Sequence, residues 1–360
     1  MFENLTREEA LALLTMSKNN YISKYVIHNK NVMSDPDVQI AALHKNFIGF
    51  DALDNPSERA CLSAVKREHD AISKIKNPSE KLMLASVKSN PWSIQYIDNP
   101  PREVWKLALE RKSEVIDVIQ NVTDEMIDFY CKDLTFGYLD ELIKAVGYNR
   151  INEQNILTRL SRRGCDLQFV KNPTEEMIMT ALECDGDSLQ YVNNPTEEMK
   201  LTAVKTTGCA IDLIDNPTEE MMMEAVKEHY GAIEHIDNPP EKVQMLAVTK
   251  NCGVIDKIDK PTEKVMRYVA KNADVSSKVY SWNGTELYQA CKAMKFAYAP
   301  EDIMLTIMER SEDGKEIEFF YNPSEKVQVA SLRKNSENMK LLWAPTKKVE
   351  LAHKMDKMVV

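Results

Sequence analysis

The chain has 360 residues with 43% hydrophobic and 28% charged content, a balance that buries a substantial core and excludes a disordered polymer. Its net charge of -10 opposes a phosphate backbone, because affinity for nucleic acid comes mostly from counterions released against clustered Lys and Arg; no nucleic-acid partner is expected. Seven cysteines, an odd number with no Cys-x-x-Cys pair, read as small packed residues in a reducing, cytoplasmic setting rather than as a disulfide framework or a zinc site.

The N-terminal stretch carries Glu3, Arg7, Glu8 and Glu9 with no apolar run behind them, so neither a signal peptide nor a membrane association is expected. Thr6 to Leu14 reads as a capping first helix, and Ser34 to Leu53 as a degenerate repeat with Pro36 in its first turn. The regular repeat then sets in. Pro56, Pro78 and Pro100, then Pro173, Pro195, Pro217, Pro239 and Pro261, then Pro323 and Pro345 fall 22 residues apart within each run. Asn172 to Met177, Asn194 to Met199 and Asn216 to Met221 repeat the text Asn-Pro-Thr-Glu-Glu-Met.

The spacing predicts a helix A in each unit, with Asn as N-cap, Pro at the first helical position and Glu returning the capping bond. In the unit of Pro195, Met199, Leu201, Ala203 and Val204 form one apolar stripe, and Gly208 offers a left-handed stop. Ile211 and Ile214, three apart, predict a helix B of two turns. Units this short cannot bury their own stripe and must stack, so the expected fold is all-α, an α-solenoid of 22-residue helix-turn-helix repeats with a long concave surface. In register, Glu58, Glu80, Glu175, Glu197, Glu219, Glu241, Glu263 and Glu325 make one row, and Lys66, Lys88, Lys205, Lys227 and Lys271 another. Both rows are what the helix dipole rewards without any ligand.

The pattern breaks twice. Asn121 to Met126 keeps the register without its Pro, but the next start near Ile151 comes about seven residues late, and the intervening text adds a helix around Leu139 to Val146. A second break spans Tyr280 to Pro300. The expected organisation is therefore N-terminal repeats with a cap over 1–130, an aromatic-rich insertion over 131–150, regular repeats over 151–280, and a break with C-terminal repeats over 281–360.

Chemistry-bearing patterns are missing. The six histidines show no metal spacing and the ten glycines no phosphate loop, so no metal, no cofactor and no enzymatic activity is expected. The candidate binding residues are Trp92, which replaces a small residue at the turn between A and B, Phe129, Tyr130, Phe136, Tyr138 and Tyr148 of the insertion, and Trp282 in the second break.

The run Asn-Pro-Thr-Glu-Glu-Met, then Ala-Val-Lys, then Ile and Ile-Asp, clearest over residues 194–215 and 216–237, resembles a family of short helical repeats known mainly as a domain of unknown function. Those repeats occur in large phages, giant viruses and some bacteria. The resemblance spans roughly two thirds of the chain. It implies helical-hairpin repeats and a phage or viral origin, hence a host cytoplasm, and it transfers no catalytic residue. The expected function is a non-enzymatic interaction protein, encoded by a phage, that binds or inhibits a host protein along the concave solenoid surface; the alternative is a small-ligand binding or sequestering protein with its pocket at the insertion.

Overall fold

The computed structural model describes residues 5–16, 26, 28–44, 53, 55–68, 70–134, 137–274, 287–288, 291, 299–342 and 344–358, with the side chains of 352 and 355–358 excepted. Among them every regular element is a helix, and helices of successive repeats pack on one another as an α-solenoid. The chain divides into two compact units, residues 1–159 and 160–360. Of the expected cap and insertion helices, the structure forms Arg7–Met16, Pro36–His44 and Leu139–Val146.

The repeat from Glu197 to Thr218 shows why the period is 22. It has ten residues of α-helix (Glu197–Thr206), the extended Thr207, six residues of 3₁₀ helix (Gly208–Leu213), the extended Ile214, and a link of four from Asp215 that caps the next helix. Helix A buries Met199, Ala203 and Val204, and helix B buries Ala210, Ile211 and Ile214. In the second unit these side chains join one core cluster that runs from Leu182 to Val327. Each large apolar side chain so buried contributes about 1.5–3 kcal/mol.

One local expectation is refined and two are corrected. Helix B has its two turns, as a 3₁₀ helix of six residues closed by bonds such as Ala210 N–H to Thr207 O and Ile214 N–H to Ile211 O. Six residues flanked by extended backbone are too few to develop an α ladder, and the tighter helix spans more distance per residue.

The N-cap is not Asn but the Thr two residues further on. Thr174, Thr196 and Thr218 accept the N–H of Met177, Met199 and Met221 at 3.2–3.3 Å, and Ser57, Ser79 and Ser324 act likewise. Proline therefore precedes the helix. Asn172, Asn194 and Asn216 instead take φ of 51–54°, the left-handed region that Asn enters more readily than other residues with a Cβ. The first Glu becomes the first helical residue, so the reciprocal Glu bond is absent there; it does form in the first helix, where Thr6 and Glu9 exchange bonds of 2.9 and 3.3 Å.

Gly208 does not end helix A in a left-handed conformation; among the described glycines only Gly147 and Gly314 have positive φ. A Cβ on Gly164, Gly186 or Gly208 would instead lie 2.2–2.4 Å from the carbonyl oxygen of Ala181, Ala203 or Ala225 in the following helix A. These glycines set the distance between repeats.

The acidic row also joins neighbours, through lysines outside the lysine row. Lys81, Lys242, Lys264 and Lys348 reach Glu58, Glu219, Glu241 and Glu325 of the preceding repeat at 2.9–3.2 Å. At the far end of helix A, Arg67 donates to Leu43 O at 2.8 Å, Lys250 to Lys227 O at 2.6 Å and Lys334 to Glu309 O at 3.0 Å. Each repeat thereby serves carbonyls that the previous helix leaves without an internal partner. Gln39, Gln244 and Gln328 are buried clamps. Gln244 Nε2 donates to Pro239 O and Lys260 O at 2.8 and 3.3 Å while its Oε1 accepts from Thr262 N–H at 3.0 Å, and Gln328 repeats the same three bonds around Pro323, Ala344 and Thr346.

Candidate binding surface

Seven extra residues turn the repeat that starts at Asp124 into an unusual one. Its helix A is Asp124–Lys132, and where its neighbours place a 3₁₀ helix it carries the α-helix Leu139–Val146, which packs on the 3₁₀ helix Ser113–Val118. Gly147, at φ 80°, ends that helix, and helix Glu153–Leu160 resumes the array.

A buried polar network holds this arrangement. Tyr130, fully buried, donates its phenol hydrogen to the Glu141 carboxylate at 2.7 Å, and Ser113 Oγ donates to the same oxygen at 3.2 Å. Burial first, and the Glu141 carboxylate second, push the Tyr130 phenol well above its ordinary range, so it stays a donor. Arg159, also fully buried, stands 5.8 Å from the Tyr130 ring centroid and donates to Leu134 O at 3.2 Å and to Gly137 O. Gly137 makes room for this, since a Cβ there would meet the Tyr130 ring at 2.6 Å.

Beside the network, with its Ser113 and Glu141 in the wall, lies a cleft of about 570 Å³, with Leu109 and Leu134 as its apolar part and Glu110, Lys112, Glu114 and Tyr138 among its other walls. Of the residues singled out by sequence, Tyr138 is the one that lines the cleft, and it is 48% exposed. Trp92 sits one repeat earlier with Lys112 Nζ 5.4 Å from its ring centroid, which connects it to the cleft wall. Phe129 is buried against Trp105, edge to face at 5.4 Å, and Tyr130 belongs to the network, so neither presents a face to a partner. Tyr148 is half-buried in the short helix Tyr148–Arg150. Phe136 and Trp282 lie outside the described residues.

Sequence reasoning passed over Ser113, Glu141 and Arg159. Two signals were available. Glu141 is the third residue of its helix and accepts from the N–H of its N-cap Tyr138 at 3.5 Å, and the seventh residue of helix A, small in Ala64, Ser86, Ala108, Ala181, Ala203, Ala225 and Ala247, becomes Tyr130 and Arg159 here.

Among the described residues no group of three His, Cys, Asp or Glu is arranged to hold a metal ion, and no helix is long and apolar enough to cross a membrane. No protein-family model and no curated protein matches the chain.

Proposed function

We propose that this chain is a non-enzymatic interaction protein whose partner is another protein, engaged at the cleft beside the insertion with Tyr138 as its anchor. One observation carries the reading. The insertion is held from within by Tyr130, Glu141 and Arg159, yet it leaves one tyrosine 48% exposed beside a cleft with apolar and charged walls. A rigidly supported aromatic next to opposite charges is the composition of a binding hot spot. The resemblance of the repeat to those of large phages and giant viruses directs the proposal to a host protein as partner.

A pull-down from host lysate at moderate salt, with Tyr138→Ala and Lys112→Glu as point variants, tests it. A stoichiometric protein retained by the intact chain and lost by about tenfold or more with Tyr138→Ala supports the anchor. Equal retention by both variants refutes it. The volume of the cleft favours a second reading, a small-molecule ligand, since about 570 Å³ falls in the range of ligand pockets. Native mass spectrometry of the purified chain would show that ligand as added mass.

A further inference from the structure

The helices Glu301–Arg310, Glu325–Lys334 and Lys347–Met358 enclose a groove of about 640 Å³ in the second unit. It has a cause in the sequence. The fifth and sixth residues of helix A lie half-buried at the surface, and in the four described repeats that precede the middle helix of the groove they are Met223 and Glu224, Met245 and Leu246, Arg267 and Tyr268, Leu305 and Thr306. In the middle helix of the groove they shrink to Val329 and Ala330. Shortened side chains between Leu305 and Val349 leave an apolar floor.

The rim is cationic. Lys326, Arg333, Lys334 and Lys348 line the groove against Glu309 and Glu325. Lys348 pairs with Glu325 at 2.9 Å, Lys326 lies 4.0 Å from Glu301, and Lys334 donates to Glu309 O at 3.0 Å. The exposed Arg333 guanidinium makes no hydrogen bond or ion pair among the described residues. From Pro323 to Val360 the chain carries eight Lys and Arg against four acids, a local inversion within a chain of net charge -10.

We propose that this groove docks a short acidic amphipathic helix of a partner protein. A carboxylate on that helix pairs with the fork of Arg333, and a bulky apolar side chain one turn away enters the hollow over Val329 and Ala330. The groove follows the ten residues of helix Glu325–Lys334, so it runs roughly 13 Å at 1.5 Å per residue and accommodates two such anchors. The charge complementarity selects an acidic segment, and the apolar floor selects one that also has a greasy face.

The test is fluorescence anisotropy with the full chain and a labelled helical peptide about four turns long that carries Glu and Leu on one face. Saturable binding is expected, weakened about tenfold or more by Arg333→Glu and by Ala330→Trp, and lost when Gln replaces the Glu of the peptide. Melts followed by circular dichroism check folding; Arg333 is exposed, so Arg333→Glu decides the matter if Ala330→Trp does not fold. Absence of binding, binding unaffected by Arg333→Glu, equal binding of a scrambled peptide of the same composition, or stronger binding of a single-stranded oligonucleotide overturns the proposal. Tyr138→Ala leaves this binding unchanged, which separates the groove from the cleft of the first unit.

Discussion

One methyl group is enough to force two repeats apart. A Cβ at Gly186 would lie 2.2 Å from Ala203 O and 2.9 Å from Thr207 Cβ, both on the next repeat, whereas carbon and carbonyl oxygen ordinarily come no closer than about 3.3 Å. Backbone cannot swing aside as a side chain can, so Gly186→Ala must open the contact between the 3₁₀ helix Gly186–Tyr191 and helix Glu197–Thr206, stretching the 3.1 Å bond from Gly186 N–H to Thr207 Oγ1. Overpacking of this kind costs about 1–3 kcal/mol, and the lost freedom of the unfolded glycine offsets about 0.4–1 kcal/mol, leaving roughly 1–2 kcal/mol of destabilisation. Gly231→Ala is the control. There the nearest atom, 2.6 Å away, is Nε2 of the exposed His229, which can rotate, so the variant should stay within about 0.5 kcal/mol of the parent. Urea midpoints followed by circular dichroism compare the two. Amide exchange adds the location, because stacked repeats couple to nearest neighbours: Glu197–Thr206 should lose protection while Glu263–Asn272 keeps it. Equal midpoints for the two variants, or a weaker Gly231→Ala, would refute the reasoning.

Three further perturbations separate the local devices. Asn216 holds φ 54°, so Asn216→Ala should cost about 1–2 kcal/mol while Asn216→Gly stays within a few tenths, a difference that thermal melts resolve. Gln244→Leu removes three hydrogen bonds around Pro239, Lys260 and Thr262 and should cost about 2–4 kcal/mol; a midpoint within experimental error of the parent would show that water replaces the clamp. Glu316 is buried beside Ser311, and burial raises its carboxyl above the ordinary value of 4.5. The folded chain therefore holds this proton more tightly than the unfolded one, so the contribution is fully present below 4.5 and is lost as pH rises through the raised value. Glu316→Gln should flatten the fall in stability as pH rises above the ordinary 4.5, measured as urea midpoints; an unchanged slope would assign it to other groups.

The solenoid was legible because the period recurs and the stripe of helix A obeys 3.6-residue geometry. The link between helices was not. Asn-Pro-Thr offers two acceptors, and pattern alone cannot choose between Asn at the cap and Asn in the left-handed turn with Thr at the cap; the choice falls to how the chain must reverse over two residues. The role of Gly208 was hidden for a related reason, since the atom that excludes a Cβ there belongs to the following repeat, 17 residues on, and not to the helix it terminates. The insertion shows the same limit. Aromatic density located it, but burial sorts Phe129 and Tyr130 from Tyr138, and burial depends on Gly137 and Arg159, which carry no aromatic signal.

The seventh residue of helix A explains how the array survives its interruptions. Where a repeat has neighbours spaced 22 on both sides, this residue is Ala or Ser, small enough for the neighbouring backbone to touch it. On either side of the first break it becomes Tyr130 and Arg159, and on either side of the second it becomes Val269 and Ile307. Larger side chains appear where a regular neighbour no longer fills the space, as close packing demands. At each break a guanidinium also serves carbonyls of the chain before it: Arg159 donates to Leu134 O and Gly137 O in the link that follows helix Asp124–Lys132, and Arg310 to Ala270 O and Ala273 O at the end of helix Glu263–Asn272, the latter two at 2.8 and 2.5 Å. A break thus meets the two requirements a regular repeat meets, a filled interior and capped carbonyls, by different residues. Having met them from within, it leaves its surface residues free to differ from the consensus, and Tyr138 is such a residue. That is the physical reason for placing the proposed binding site at an interruption of the repeat.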